Sequence, residues 1–176
     1  MSAHEGSGAH ADDSVNPDDG LDIDTGFRNW DRDDLITLIR ECCGKIATRR
    51  ANRYLDLVES LGVTSDYGTR KNRPKFLASI PYEGDETLLV ADLWHTGGLF
   101  FMRSSFCHHR VFASEAAQQT LLDTWNTLQC EPLDLERNFQ KAGQLDSMTD
   151  AGFDRLLAVI TWTINSMKAG TLLDTP

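Results

Sequence analysis

Apolar residues recur at helical spacing near the start of the region that we expect to fold. The helix they predict begins after Asp31, which is a good N-cap residue, and acidic residues follow in its first turn. Five apolar residues share one face of this helix: Leu35, Leu38, Ile39, Cys42 and Ile46. The pattern predicts an N-terminal helix that buries this face.

A second apolar stripe follows but does not continue the first. It is rotated by about 90° at the helical repeat of about 100° per residue, and its members are Tyr54, Leu57, Val58 and Leu61. Gly44 lies between the stripes and weakens a helix locally. We therefore predict a break near Gly44. The alternative is a continuous helix on which Arg49, Arg50 and Arg53 point at a partner.

The middle of the chain has the shorter period of β-strands. Paired glycines at 97–98 are typical of a hairpin connection. An antiparallel meander of three or four strands is predicted, formed by residues 76–80, 86–93, 99–103 and, as the fourth, 106–112. Simple alternation puts Leu88 and Val90 on one face of the second strand, and Leu89, Ala91 and Leu93 on the other. Both faces are then apolar, and each needs cover.

Helical signals return after the strands. Ser114 is the expected N-cap of a helix that runs to about Leu128. Residues 132–142 fit either a short helix that begins at Pro132 or a strand. The last helix has Ser147 and Asp150 as a predicted capping box.

The predicted fold is therefore α+β. It has an N-terminal helix, the meander, and two or three C-terminal helices that pack on the sheet. We expect an acidic tail without stable structure at 1–26, one domain at 27–170 and a C-terminal tail at 171–176.

The net charge of −10 comes mainly from the N-terminal tail. The tail holds seven of the 27 acidic residues and none of the 17 basic ones, so the expected domain is almost balanced in charge. The total charge therefore does not exclude a nucleic-acid partner. The sequence lacks the basic and apolar pattern of a signal peptide and any apolar run that could span a membrane, so we expect a cytoplasmic protein without a membrane partner.

Catalytic and metal-binding motifs are weak. Cys107 and His109 would share a face of a strand and could bind zinc, but no further ligands stand at suitable spacing. The sequence has no nucleophile-elbow or phosphate-binding glycine motif. We therefore expect no cofactor and favour a protein that is not an enzyme.

Tryptophans are the basis of the favoured functional hypothesis, which is binding to another protein or to a second copy of the chain. Trp162 lies opposite the apolar stripe of the last helix, so it is either covered by Leu172 and Leu173 or part of an interface. The candidate partner-binding residues are Trp94, Trp125 and Trp162. A chaperone, a toxin-neutralising protein or an adaptor fits this description.

The alternative hypothesis is nucleic-acid binding by a basic segment, as in a nuclease or a regulator. The candidate residues are Arg49, Arg50, Arg53, Arg70, Lys71, Arg73 and Lys75. In that case the acidic tail would compete with phosphates for the same surface.

Overall fold

The computed structural model describes residues 29–68, 73–82, 86–128 and 139–176. Within these ranges the helices are α1 (Arg32–Ser60), α2 (Arg103–His108), α3 (Glu115–Asn126) and α4 (Asp150–Ala169). The strands are β1 (Thr64–Asp66), β2 (Lys75–Pro81), β3 (Thr87–Trp94), β4 (Gly98–Met102) and β5 (Phe139–Gln144), and a 3-10 turn spans Arg110–Phe112. The predicted tail at 1–26 lies outside the described residues.

The strands form one antiparallel sheet in the order β1-β2-β3-β4-β5. The predicted α+β class and the sequence of helix, meander and C-terminal helices are confirmed. The described sheet has five strands instead of three or four, because β1 and β5 extend it at its two edges. The three residues of β1 are all exposed, so no apolar alternation marks this strand in the sequence.

One segment differs from the prediction, and the structure decides part of a second that was left open. Residues 106–112 form the end of α2 and the 3-10 turn, not a fourth strand. His109 starts this turn, because its Nδ1 accepts the N–H of Val111, and such local bonds compete with strand formation. Residues 132–142 were left open between a helix and a strand; 139–142 belong to β5, so the strand alternative holds there, and residues 132–138 lie outside the described residues.

Gly44 breaks α1 as predicted, and the break reverses the chain. Gly44 has φ 79° and ψ −172°, a backbone conformation that is essentially restricted to glycine. Arg32 donates to Glu59 at 2.9 Å and to Asp56 at 2.6 Å, whereas 27 helical residues in a straight line would separate the ends by about 40 Å. The segments 32–43 and 45–60 therefore fold back on each other as a helical hairpin.

The reversal explains the two apolar stripes. Leu35 and Ile39 of the first segment are buried, and so are Tyr54 and Val58 of the second. Ile46 was expected to belong to the first buried stripe, but its side chain is 53% exposed. It follows the break, where the chain has already changed direction.

A β-bulge in β3 decides which residues face the core. Ala78 pairs with Ala91 and Ser79 pairs with Leu89, so Val90 is an extra residue that shifts the alternation by one position. Because paired residues share a face, Leu88 lies on the same face as Ala91 and Leu93, contrary to the simple alternation predicted above. We call this the core face, and its members are Phe76, Ala78, Ile80, Leu88, Ala91, Leu93 and Leu99.

Helices α1 and α4 supply much of the remaining core. The ring of Tyr54 packs edge-on against Phe76 of the core face, with centroids 6.3 Å apart. Helix α4 begins after Thr149, whose side chain accepts the Gly152 N–H, so the predicted cap at Ser147 is two residues too early. It ends at Gly170 in the left-handed conformation, as expected. No helix in the described ranges has the length and apolarity needed to cross a membrane.

Substitution of Gly44 tests the reversal of α1. We expect Gly44→Ala to lower the free energy of unfolding by about 1–3 kcal/mol, because alanine is strained in this backbone conformation. Lys45→Ala, at the next and exposed position, is the matched control and should change stability by less than about 0.5 kcal/mol. Urea unfolding measures both, and equal stability of the two variants would contradict the assignment.

Candidate functional site

The face of the sheet opposite the core face carries a mixed set of side chains, and we call it the outer face. It consists of Lys75, Leu77, Ser79, Leu89, Asp92, Trp94 and Phe100. All of these are half-buried except Asp92, which is 3% exposed. Lys141 of β5 pairs with Phe100 and is exposed. The outer face therefore combines apolar surface, two lysines and one buried carboxylate.

An aromatic pair lies at the centre of the outer face. The rings of Trp94 and Phe100 lie on neighbouring strands with centroids 4.9 Å apart and planes tilted by 42°. The Nζ atom of Lys75 lies 5.9 Å from the centroid of the Trp94 ring, within range of a cation–π interaction. Lys75 reaches this position because it pairs directly with Trp94 across β2 and β3.

Asp92 lies beside this pair and is not fully hydrogen-bonded. Its Oδ1 atom is buried without a hydrogen-bond partner among the described residues. Burial raises the pKa of Asp92, while the Trp94 indole N–H and the charge of Lys75 oppose that rise. Burial of a carboxylate oxygen without a donor is costly, so this position lowers the stability of the fold instead of supporting it.

His95 directly follows β3, at the margin of the outer face. Burial lowers the pKa of His95, and the nearby charge of Arg73 lowers it further. The imidazole is therefore neutral at neutral pH. Positive charge at this margin comes from Arg73, which is exposed, and from Lys75.

Two arginines of α1 are paired with carboxylates of α4. Arg50 is buried and donates to the Leu145 carbonyl and to Asp150 Oδ1, both at 2.7 Å. Arg53 is exposed and donates to Asp154 Oδ1 at 3.0 Å. Both guanidinium groups also lie over the ring of Phe153, at 5.8 Å and 5.1 Å.

These contacts change the interpretation of the basic segment. Arg50 and Arg53 hold the second half of α1 against the start of α4, so we do not assign them to phosphate binding. Arg49 is exposed beside them, and Arg70 and Lys71 lie outside the described residues. Of the predicted basic residues, Arg73 and Lys75 are the ones placed near the aromatic pair.

The other two predicted tryptophans lie in the core. Trp125 is 2% exposed, and its indole N–H donates to Thr163 Oγ1 at 3.2 Å. Trp162 is 5% exposed and donates to the Leu173 carbonyl at 3.0 Å, so the C-terminal residues cover it. Neither contributes to an exposed aromatic surface. Trp94 is therefore the predicted tryptophan that lies half-buried on the sheet and not in the core.

The predicted metal ligands do not form a cluster in the described part of the chain. No three His, Cys, Asp or Glu side chains converge there on a common point. Cys107 is half-buried in α2, and the Nδ1 atom of His109 is used to cap the 3-10 turn.

Comparisons with known proteins do not supply a function. The chain matches no family model, no curated protein and no solved structure.

The pairing of Arg50 with Asp150 predicts how stability depends on pH. The Arg50 guanidinium lowers the pKa of Asp150 through its hydrogen bond and its charge. A lowered pKa contributes stability above the unfolded value of about 3.9, and this contribution is lost as the pH falls through the folded value. We expect Asp150→Asn to lower Tm by about 2–4 °C at pH 7. The difference from wild type should vanish in acid.

The exposed Asp146, four residues earlier, offers a matched control. Asp146→Asn should leave Tm within about 1 °C of wild type at pH 7. A loss of the same size in both variants would show that the ion pair with Arg50 is not the cause.

For Asp92 we expect a pH dependence of stability with the opposite sign. Because its pKa is raised in the folded state, its charge opposes folding at neutral pH, and that penalty fades as the pH falls through the folded pKa towards about 3.9. We expect Asp92→Asn to raise the free energy of unfolding at pH 7 by about 1 kcal/mol. The gain should disappear below about pH 4. Urea unfolding at several pH values measures it, and destabilisation at pH 7 would contradict the assignment.

Proposed function

We propose that the protein is a protein-binding module whose contact surface is the outer face of the sheet. The observation that carries this proposal is the half-buried Trp94–Phe100 pair, with a buried carboxylate oxygen of Asp92 beside it that has no partner among the described residues. Aromatic side chains supply most of the energy at protein interfaces, and they are most effective in central, desolvated positions.

Two apolar residues enlarge the surface around the aromatic pair. Leu77 and Leu89 lie on the same face and are half-buried, so the outer face has an apolar centre and charged residues at its margin. A polar rim around an apolar centre is the usual organisation of a protein interface.

The partner that these charges fit is a second copy of the chain. The outer face carries both signs, with Lys75 on β2, Asp92 on β3 and Lys141 on β5. In a twofold dimer the same surface meets itself, so the face must be complementary to itself.

A second candidate function is the binding of single-stranded nucleic acid at the same face. Lys75 lies over Trp94, and Lys141 lies beside Phe100. Aromatic rings flanked by cations on a sheet can stack bases and neutralise phosphates. The carboxylate of Asp92 opposes this function, because it repels phosphate, and the pairing of Arg50 and Arg53 removes two of the predicted phosphate ligands.

Loss of the Trp94 ring tests the proposed function. We expect the wild-type chain to form a reversible dimer in sedimentation velocity experiments, and we expect Trp94→Ala to weaken its association at least about tenfold. Ile46→Ala is the matched control, because Ile46 is a large exposed apolar residue on α1 and not on the sheet. Circular dichroism of each variant verifies that the fold is retained.

The same variants separate the two candidate functions. A wild-type chain that stays monomeric to submillimolar concentration would overturn the dimer, as would equal effects of Trp94→Ala and Ile46→Ala. Fluorescence anisotropy with labelled oligothymidine at low salt then tests the second candidate. Binding that is lost in Trp94→Ala and falls steeply with salt would support nucleic-acid binding in place of the dimer.

A further inference from the structure

A cavity of about 430 Å³ lies away from the outer face, where the end of β2 meets the C-terminal end of α4. Ile80 and Met167 form its apolar floor, and each is 3% exposed. Tyr82 and His109 form a wall, and their ring centroids lie 5.4 Å apart. The volume is within the range of sites that bind small molecules.

The charged groups at this cavity are positive. Arg110 and Lys168 both line it, and no carboxylate of the described residues does so. Neither Arg110 nor Lys168 forms a salt bridge with a carboxylate of the described residues. Glu83 and Asp85, which follow Tyr82 in the sequence, lie outside the described residues.

Backbone carbonyls hold Lys168 in place, and Arg110 lies against the end of α4. The Nζ atom of Lys168 donates to the carbonyl oxygens of Leu61 and Gly62 at the end of α1. The guanidinium of Arg110 packs against Gly170, where any Cβ atom would collide with it. The two helix C-termini favour cations at these positions. However, carbonyl groups carry only partial charge, so they do not neutralise the cations.

The wall of the cavity has a fixed geometry. His109 is 5% exposed, and its Nδ1 atom accepts the Val111 N–H at 3.4 Å. The hydroxyl of Tyr82 donates to the His108 carbonyl at 2.7 Å, which fixes the tyrosine ring against the 3-10 turn.

We propose that this cavity binds a small organic anion, with a carboxylate or a phosphate held by Arg110 and Lys168 and an apolar group on Ile80 and Met167. The guanidinium of Arg110 can bind either anion through two parallel hydrogen bonds. The apolar floor excludes an inorganic ion as the best ligand, because the floor would gain no contact from it. This site is independent of the outer face and of the function proposed there.

Titration with three matched probes tests the site. The probes are 3-phenylpropanoate, phenyl phosphate and the neutral 3-phenylpropanol, followed by amide chemical shifts in ¹⁵N-labelled protein. We expect saturable binding of at least one anion, with the largest shifts around Tyr82, Val111 and Gly170. The neutral alcohol should bind at least about tenfold more weakly, because it lacks the charge-assisted hydrogen bonds. The anion that binds more tightly shows whether the site prefers a carboxylate or a phosphate.

Variants of Arg110 give the decisive comparison. Arg110→Gln should lower the affinity for the more tightly bound anion about tenfold or more. Arg110→Lys should retain part of this affinity because it keeps the charge. Arg40→Gln, an exposed arginine on α1, is the matched control and should bind as wild type does. Thermal unfolding verifies that each variant is folded.

Three results would overturn the proposal. The first is the absence of saturable binding by both anions, and the second is an equal affinity for the neutral alcohol. The third is an Arg110→Gln variant that binds as tightly as the Arg40→Gln control. Each of these results is distinguishable from failure of the dimer, which is measured without any ligand.

Discussion

The reversal of the chain at Gly44 is the constraint on which the other contacts of α1 depend. One residue in a backbone conformation that glycine alone adopts readily turns a 29-residue helix into a hairpin. The reversal brings Arg32 to Asp56 and Glu59, and it sets the direction of the second segment. That direction presents Tyr54 to the sheet and Arg50 to the start of α4. The sheet and the C-terminal helices thus have a common packing partner because of this reversal.

The β-bulge at Val90 has a similar effect on the sheet. Without an extra residue, a strict period of two would place Leu88 on the same face as Asp92 and Trp94. With the bulge, Leu88 joins the core, and Leu89 lies on the outer face with Asp92 and Trp94. The candidate interface therefore depends on a local irregularity of the strand and not only on its composition.

The sequence predicts those parts of the fold that depend on local signals. The break at Gly44, the hairpin at 97–98 and the cap at Ser114 are all confirmed, because glycine conformation and side-chain capping act within a few residues. The bulge, the edge strand β1 and the 3-10 turn could not be predicted in this way. They depend on pairing partners or on single hydrogen bonds that leave no periodic pattern.

The candidate site was harder to predict for the same reason. Trp94 was identified from its residue type, but its neighbours Lys75 and Phe100 come from two other strands and are brought together by register. The three arginines were predicted either to follow a helix break or to point at a partner. The break occurs, and Arg50 and Arg53 point at carboxylates of the same chain. Sequence alone gave no means of pairing residues that are about 100 positions apart.

The position of the aromatic pair within the sheet affects the thermodynamics of any association there. Trp94 and Phe100 stand on β3 and β4, which have hydrogen-bonded neighbours on both sides. Their backbone is already ordered, and an aromatic side chain has only two rotatable torsions, so little conformational entropy remains to be lost on binding. Burial of the rings would then give a negative heat-capacity change with a small entropic penalty on this side of the interface. A rigid surface of this kind selects partners by shape, because it cannot adapt to them.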